Sequence, residues 1–194
     1  MPRYKEYNKI RLTEKAMYQF WRHGYGATSL AVLIKALGVN KFSFYDAFES
    51  KENLLVETLA YHYKTRVLPL LEKLEQDHDI NGFFNAMLES GKYELRGCYI
   101  LTMTSETGMS IPPAVTLLQE YMQNLTRILE TIVSISQPNK SAKEHYNLSR
   151  QLLALFTSIP LMHPIKPGRS CMEYAADVLA IMKFNPPDSY ATQS

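Results

Sequence analysis

Residues 24–55 read GYGATSLAVLIKALGVNKFSFYDAFESKENLL. Apolar residues in the first half of this stretch recur at spacings of three and four, which predicts one face of a helix that ends at Gly38. A second short helix is predicted at Lys41–Phe48, where Phe44 and Phe48 lie four residues apart and both point inward. A three-residue turn that begins with glycine joins the two helices. Two short helices joined in this way form a helix-turn-helix arrangement.

Helices are also predicted on both sides of this arrangement. The first helix should run from about Tyr7 to His23, and the fourth should reach about Glu75 with a bend at Pro69. The predicted N-caps of the second, third and fourth helices are Thr28 or Ser29, Asn40, and Ser50. Further helices are predicted at Gly82–Leu95, Cys98–Thr107, Pro113–Ser136, Ala142 to about Leu161, and Ser170–Phe184.

The chain has 194 residues, of which 46% are hydrophobic and 21% charged. This composition is typical of a folded globular protein, and the 3.6-residue periodicity predicts an all-α fold of about nine helices. We expect a helix-turn-helix domain at 1–55, a second helical domain at 56–185 and a frayed tail at 186–194.

Charge and cysteine content narrow the class of protein. Residues 1–55 carry nine lysines and arginines against five acids, whereas the rest of the chain carries twelve against fourteen. The positive N-terminal end suits a partner with phosphates. Only two cysteines, an N-terminus without an apolar signal region and the lack of a long apolar run lead us to expect a cytoplasmic protein that does not enter a membrane.

The stretch from Leu12 to Leu59 resembles the DNA-binding domain of the tetracycline-repressor (TetR) family. Two blocks carry most of the resemblance: the first is Gly24–Ser29, and the second is Gly38–Lys41, which leads to Phe44 and Tyr45 and then to Phe48–Glu52. The resemblance implies that the rest of the chain forms a helical ligand-binding and dimerisation domain. It also implies that double-stranded DNA is a partner.

The resemblance further implies that the helix Lys41–Phe48 enters the major groove. Family members commonly touch phosphate at the positions that correspond to Thr28, Tyr45 and Lys51. The candidate DNA-binding residues are Thr28, Ser29, Lys41, Phe42, Ser43, Tyr45, Asp46 and Lys51.

Several positions of the third helix depart from the family pattern. Phe42 stands where glycine is frequent, Asp46 where tyrosine is usual, and Ala47 where histidine or tyrosine often contacts the backbone. Phe42 is suited to lie against a thymine methyl group, and Asp46 is able to accept a hydrogen bond from cytosine N4. The basic side chains Arg3, Lys5 and Lys9 remain open to two interpretations, namely an arm that reaches DNA or a solvated surface.

Methionines and aromatic residues are frequent after residue 60, and most are expected to be core. The family resemblance implies that some line a pocket for a small apolar or aromatic effector whose identity is unknown. The candidate pocket residues are Tyr61, Met87, Tyr99, Met103, Tyr121, Leu125 and Phe156. The last two predicted helices, which contain Leu152, Leu153, Leu155 and Phe156 and then Met172 to Met182, are where the family forms a homodimer.

The predicted function is that of a transcriptional regulator, by family default a repressor, which binds a near-palindromic operator as a homodimer and is released by an effector. One alternative is an adaptor or assembly protein that uses the helix-turn-helix for protein contacts. Another is a thiol sensor acting through Cys98, weighed against an inert packed cysteine. Motifs of phosphate loops, zinc sites or nucleophile elbows do not occur, so we expect no enzyme, no cofactor and no metal.

Overall fold

The computed structural model describes the backbone of residues 2–80, 82–83, 98–108 and 110–162, and side chains from residue 9 to residue 158 within those ranges. Several predictions lie outside the described residues. They are most of the helix Gly82–Leu95 with Met87, the helix Ser170–Phe184, the tail at 186–194, and the side chains of Arg3 and Lys5.

The described residues are helical without any strand, which confirms the all-α prediction. The helices are α1 (Pro2–His23), α2 (Leu30–Leu37), α3 (Lys41–Phe48), α4 (Lys51–His62), a π-helical turn (Tyr63–Val67), α5 (Leu68–Asp77), α6 (Tyr99–Thr107), α7 (Pro112–Ser136) and α8 (Ala142–Met162). If α4, the π-helical turn and α5 count as one, the described residues hold seven helices. The two remaining predicted helices lie wholly or mostly outside those residues.

Local signals define the ends of α2, α3 and α4, as predicted. Ser29, Asn40 and Ser50 are the N-caps, and each side chain accepts a hydrogen bond from the amide three residues later. Gly38 ends α2 in the left-handed conformation at φ 71°, which glycine adopts without steric cost. These caps satisfy amides and carbonyls that the helix ends leave without intrahelical partners.

Helix α1 begins earlier than predicted, at Pro2 instead of about Tyr7. Proline is favoured at the first position of a helix because its φ is already helical and its missing amide hydrogen is not needed there. The segment that was interpreted as a possible arm is therefore the first part of α1.

The long fourth helix is predicted to bend at Pro69, and the structure contains a π-helical turn that ends at Val67, two residues before that proline. The hydrogen bond that is typical of a π-helix joins the Leu68 amide, the donor, to the carbonyl of Tyr63, five residues earlier. Proline has no amide hydrogen, and its ring would collide with the carbonyl four residues before it. A widened turn is one way for a helix to accommodate such a residue.

The chain divides into two compact units. The first unit comprises residues 1–69 and 94–121, and the second comprises 70–93 and 122–194. In the first unit, α1 supplies Met17, Phe20 and Trp21 to a buried core that α6 shares through Tyr99, Ile100 and Met103. Helices from both sides of residue 55 thus pack together, and the division of function at that residue stays a prediction.

The second unit has its own apolar core, in which Phe83 and Phe156 meet edge to face at 5.0 Å. Leu152, Leu155 and Phe156 are buried within the chain itself. On its surface, the Arg127 guanidinium pairs with Glu75 at 2.6 Å. Of the two helices that are predicted to form the dimer, only the first, α8, lies within the described residues. Dimerisation through them stays a prediction. Within the described ranges, none of the helices has the length and apolar character required to cross a membrane.

Candidate nucleic-acid interface

Helix α3 has one buried face and one exposed face. Phe44 and Phe48 are buried, with ring centres 5.6 Å apart, and they anchor the helix as predicted. The opposite face carries exposed side chains, and Phe42 is 80% exposed. The exposed candidates on this helix are Lys41, Phe42, Ser43, Tyr45 and Asp46. The exposed face of α3 is therefore accessible to a groove of a DNA duplex.

The predicted phosphate contacts differ in accessibility. Tyr45 is exposed and its ring meets that of Phe44 at 5.7 Å. Thr28 is fully buried, and its hydroxyl donates a 2.6 Å hydrogen bond to the Gly24 carbonyl. Ser29 is exposed and caps α2. In this conformation, Thr28 stabilises the turn before α2, while Ser29 and Tyr45 are open to a phosphate.

Lys51 lies against the turn that follows α1. Its ammonium donates a 2.7 Å hydrogen bond to the Tyr25 carbonyl and lies 4.0 Å from the centre of the Tyr25 ring. Burial lowers the pKa of Lys51, and the nearby Glu106 carboxylate acts in the opposite direction. This contact orders the side chain next to the N-terminus of α4.

Glu106 also reaches this turn, although it lies 81 residues further along the chain. Its carboxylate accepts a 2.7 Å hydrogen bond from the Tyr25 amide. Glu106 is not among the residues that the sequence pattern assigns to the interface, because no local pattern indicates which turn the end of α6 will meet. Glu106 therefore lies beside the candidate interface, although its helix, α6, is not part of the helix-turn-helix.

The first unit also contains a buried aromatic cluster around His62. The His62 ring lies 5.1 Å from Trp21 and 5.3 Å from Tyr99, measured between ring centres. His62 Nδ1 has no hydrogen-bond partner among the described residues. Burial, with a smaller contribution from Arg66, lowers the pKa of His62 to about 3. The imidazole is therefore neutral at neutral pH.

The candidate pocket residues are divided between the two units. Tyr61, Tyr99, Met103 and Tyr121 belong to the first unit, whereas Leu125 and Phe156 belong to the second. Tyr61 is partly exposed, and the other five are buried. Tyr121 packs on Tyr63 at 6.4 Å, and burial raises the pKa of Tyr121. An effector site formed by these residues stays a prediction.

A groove of about 230 Å³ lies beside α3, with Phe48, Glu49 and Asn53 in its wall. Lys9 pairs with Glu57 at 2.6 Å in the same wall. The Lys9 ammonium is thus engaged within the unit, which favours the surface interpretation for this member of the predicted arm. In the part of the chain that the structure describes, no group of three or more histidine, cysteine or acidic side chains is placed to hold a metal ion.

Cys98 is the N-cap residue of α6 and is half-buried. Burial raises the pKa of the Cys98 thiol, while the amides of Leu101 and Ile100 act in the opposite direction. A thiol with a raised pKa carries little thiolate, the reactive form. These properties favour the inert interpretation of Cys98 over the sensor interpretation.

The N-terminal module is similar to a known family of bacterial regulatory proteins. Residues 12–58 match the model of the bacterial regulatory proteins of the tetR family. A stretch of 112 residues is 26% identical to the HTH-type transcriptional regulator YezE of Bacillus subtilis. That match covers 55% of this chain and 58% of the relative, so the chain spans little more than half the length of that relative.

Solved structures share the fold over nearly the whole chain. A TetR transcriptional regulator from Chloroflexus aurantiacus superposes with a TM-score of 0.78 at 20% identity, covering 95% of this chain and 98% of that one. A cysteine mutant of the TetR family regulator CifR, complexed with 26-bp double-strand operator DNA, gives 0.72 at 19% identity over 88% and 95% of the chains. The fold inferred from the sequence pattern is confirmed.

Proposed function

We propose that this chain is a DNA-binding transcriptional regulator, which the match of residues 12–58 to the bacterial regulatory proteins of the tetR family supports. One observation carries the proposal. Helix α3 is anchored by Phe44 and Phe48 and presents an exposed face from Lys41 to Asp46. A short capped helix that is held in this way fits into the major groove of B-DNA.

The N-terminus of α2 supplies the second part of the proposed interface. Ser29 is exposed, and the first amides of a helix favour an anion such as phosphate. Tyr45 and Lys51 flank this region as further phosphate contacts. In this proposal, phosphate contacts set the position of the module, and the exposed side chains of α3 read bases.

We further propose that the protein acts as a repressor and binds a near-palindromic operator as a homodimer. A small apolar or aromatic effector would release it by favouring a conformation that spaces two recognition helices wrongly. The TetR family resemblance supports this part of the proposal. CifR, which shares this fold, is complexed with double-strand operator DNA, and this supports a double-stranded operator as the partner to test here.

Selection of bound sequences from a random pool of DNA duplexes tests the proposal. We expect the full chain to enrich one near-palindromic sequence and to lose affinity steeply as salt increases, because binding releases counterions from phosphates. Tyr45→Ala should weaken binding to the enriched duplex about tenfold, the effect of one good polar contact. Lys73→Ala is the control, since Lys73 is an exposed side chain of the second unit on α5, outside the helices proposed for dimerisation.

A lack of enrichment would contradict regulation by operator binding. Weak binding to every duplex, with an affinity that hardly depends on salt, would instead favour the adaptor alternative. Sedimentation of the chain with and without the enriched duplex tests the homodimer separately. Two chains for each near-palindromic site are expected.

A further inference from the structure

Helix α6 is attached to the helix-turn-helix module near both of its ends. At its first residue, the Tyr99 phenol and the Thr58 hydroxyl of α4 are 2.7 Å apart and buried. Thr58 donates its single hydroxyl hydrogen to the Leu55 carbonyl at 2.6 Å, so Tyr99 is the donor to Thr58. Near its last residue, the Glu106 carboxylate accepts the hydrogen bond from the Tyr25 amide.

Side chains of two other helices hold the backbone amide and the backbone carbonyl of Tyr25. Glu106 accepts from the amide at 2.7 Å, and Lys51 donates to the carbonyl at 2.7 Å. The Thr28 amide adds a 3.3 Å bond to the same carbonyl. A turn of a few residues makes few bonds of its own, so α4 and α6 supply much of what fixes its conformation.

This turn leads directly into the proposed phosphate site. It continues through Thr28 to Ser29, the N-cap of α2. A hydrogen bond weakens steeply when its donor and acceptor are moved apart or misaligned, so the reach of the Glu106 side chain bears on where this turn lies. A shift of Glu106 would therefore move the start of α2 and release the lysine that pairs with the same turn.

We propose that Glu106 is a positioning residue for DNA binding, which holds the Tyr25 turn so that the start of α2 and the Lys51 ammonium are in place for phosphates. The inference depends on the proposed function of the module as a DNA-binding unit. Glu106 acts through Tyr25 and makes no contact with DNA, since a carboxylate and a phosphate repel each other. What matters is the reach of its oxygen atom to the Tyr25 amide.

Three substitutions separate reach from charge. Glu106→Gln keeps an acceptor oxygen at the same distance, whereas Glu106→Asp keeps the charge but withdraws the carboxylate by one methylene. Glu106→Ala removes both. Operator affinity of the full chain is measured on the duplex that the wild-type chain enriches, at a temperature where circular dichroism shows each variant to be folded.

We expect Glu106→Ala and Glu106→Asp to weaken affinity about tenfold and Glu106→Gln to stay within about threefold of the wild type. Glu120→Ala is the control, because Glu120 is an exposed carboxylate of the same unit, on α7. Amide hydrogen exchange gives an independent readout. The Tyr25 amide should be protected in the wild type and in Glu106→Gln and should exchange at least tenfold faster in the other two variants.

Wild-type affinity in folded Glu106→Ala and Glu106→Asp would overturn the inference, as would a Tyr25 amide that stays protected in both. Equal losses in Glu106→Gln and Glu106→Ala would also overturn it, because charge and not reach would then decide. Failure of the wild-type chain to enrich any duplex would contradict the proposed function instead. The two failures are therefore distinguishable.

Discussion

The Lys51 ammonium lies 4.0 Å from the centre of the Tyr25 ring and donates a hydrogen bond to the carbonyl of the same residue. A lysine held in this way gives up side-chain freedom before any partner arrives, so less remains to be lost on binding. The turn that it contacts leads into α2, where phosphate binding is proposed.

Lys51→Ala is expected to weaken operator binding about tenfold and to reduce the slope of log affinity against log salt by about 0.9, the value for one phosphate contact. Titrations at several salt concentrations measure both quantities. Lys73→Ala, at an exposed lysine of the second unit, should change neither. An unchanged slope in Lys51→Ala would contradict the phosphate contact.

Phe42 should contribute to base reading without contributing to stability, because it is 80% exposed. Phe42→Ala is expected to change the free energy of unfolding by less than about 0.5 kcal/mol, which chemical denaturation measures. Replacing operator thymines with uracil removes the methyl groups that Phe42 is expected to contact. The wild type should lose affinity on this duplex, and Phe42→Ala should bind both duplexes equally.

His62 should make the protein less stable as the pH falls. The pKa of His62 is about 3 when folded, compared with about 6.5 when unfolded, so between these values the unfolded chain binds the additional proton. The free energy of unfolding therefore falls as the pH decreases from about 6.5 towards 3, by at most about 1.4 kcal/mol per pH unit from this group. His62→Phe removes that contribution and should flatten the profile.

Denaturation of both chains between pH 7 and 4 measures the His62 effect as a difference, because the other groups titrate alike. Val32→Ala, at an exposed side chain that does not titrate, serves as the control and should follow the shape of the wild-type profile. Parallel profiles for wild type and His62→Phe would rule out this role of the buried imidazole.

Tyr99→Phe should lower the free energy of unfolding by about 1 kcal/mol, the typical net contribution of a buried hydrogen bond. The change removes the phenol that donates to Thr58 and keeps the ring that packs on Trp21. Tyr146→Phe alters an exposed tyrosine and is expected to have an effect below about 0.5 kcal/mol. Equal effects of the two changes in urea titrations would argue against the Tyr99–Thr58 bond.

Two glycines of the helix-turn-helix should respond differently to alanine. Nothing lies within 4 Å of a Cβ added at either Gly38 or Gly26, but only Gly38 has a left-handed φ, of 71°. Gly38→Ala should therefore destabilise the fold by about 1 kcal/mol. Gly26→Ala should be neutral or slightly stabilising, since it reduces the freedom of the unfolded chain. Thermal melts compare the two, and equal melting temperatures would contradict the strain at Gly38.

Helix ends were predictable because their causes are local. Ser29, Gly38, Asn40 and Ser50 lie within a few residues of the amides and carbonyls that they satisfy. The spacing of Phe44 and Phe48 likewise predicts the buried side of α3. The response to Pro69 was only partly predictable, since a bend and a π-helical turn both accommodate a proline.

Long-range contacts were not predictable from the same patterns. Glu106 meets Tyr25 across 81 residues, and helical periodicity does not indicate which surfaces will meet. Thr28 and Lys51 were interpreted as phosphate contacts from their positions in the family pattern. In the structure, both side chains bond to the turn at Gly24 and Tyr25, because carbonyl oxygens of that turn lie within their reach.

Helices α1, α4 and α6 share one buried core. This limits where the chain can be cut and joined to a segment of another protein. Hybrid regulators are made by joining the operator-reading segment of one protein to the sensing segment of another. Here a segment that stopped after α4 would leave behind Tyr99 and Glu106, and it would uncover Trp21 and His62. A working chimera from this chain has to carry α6 along with the helix-turn-helix, so the unit of exchange is discontinuous in sequence.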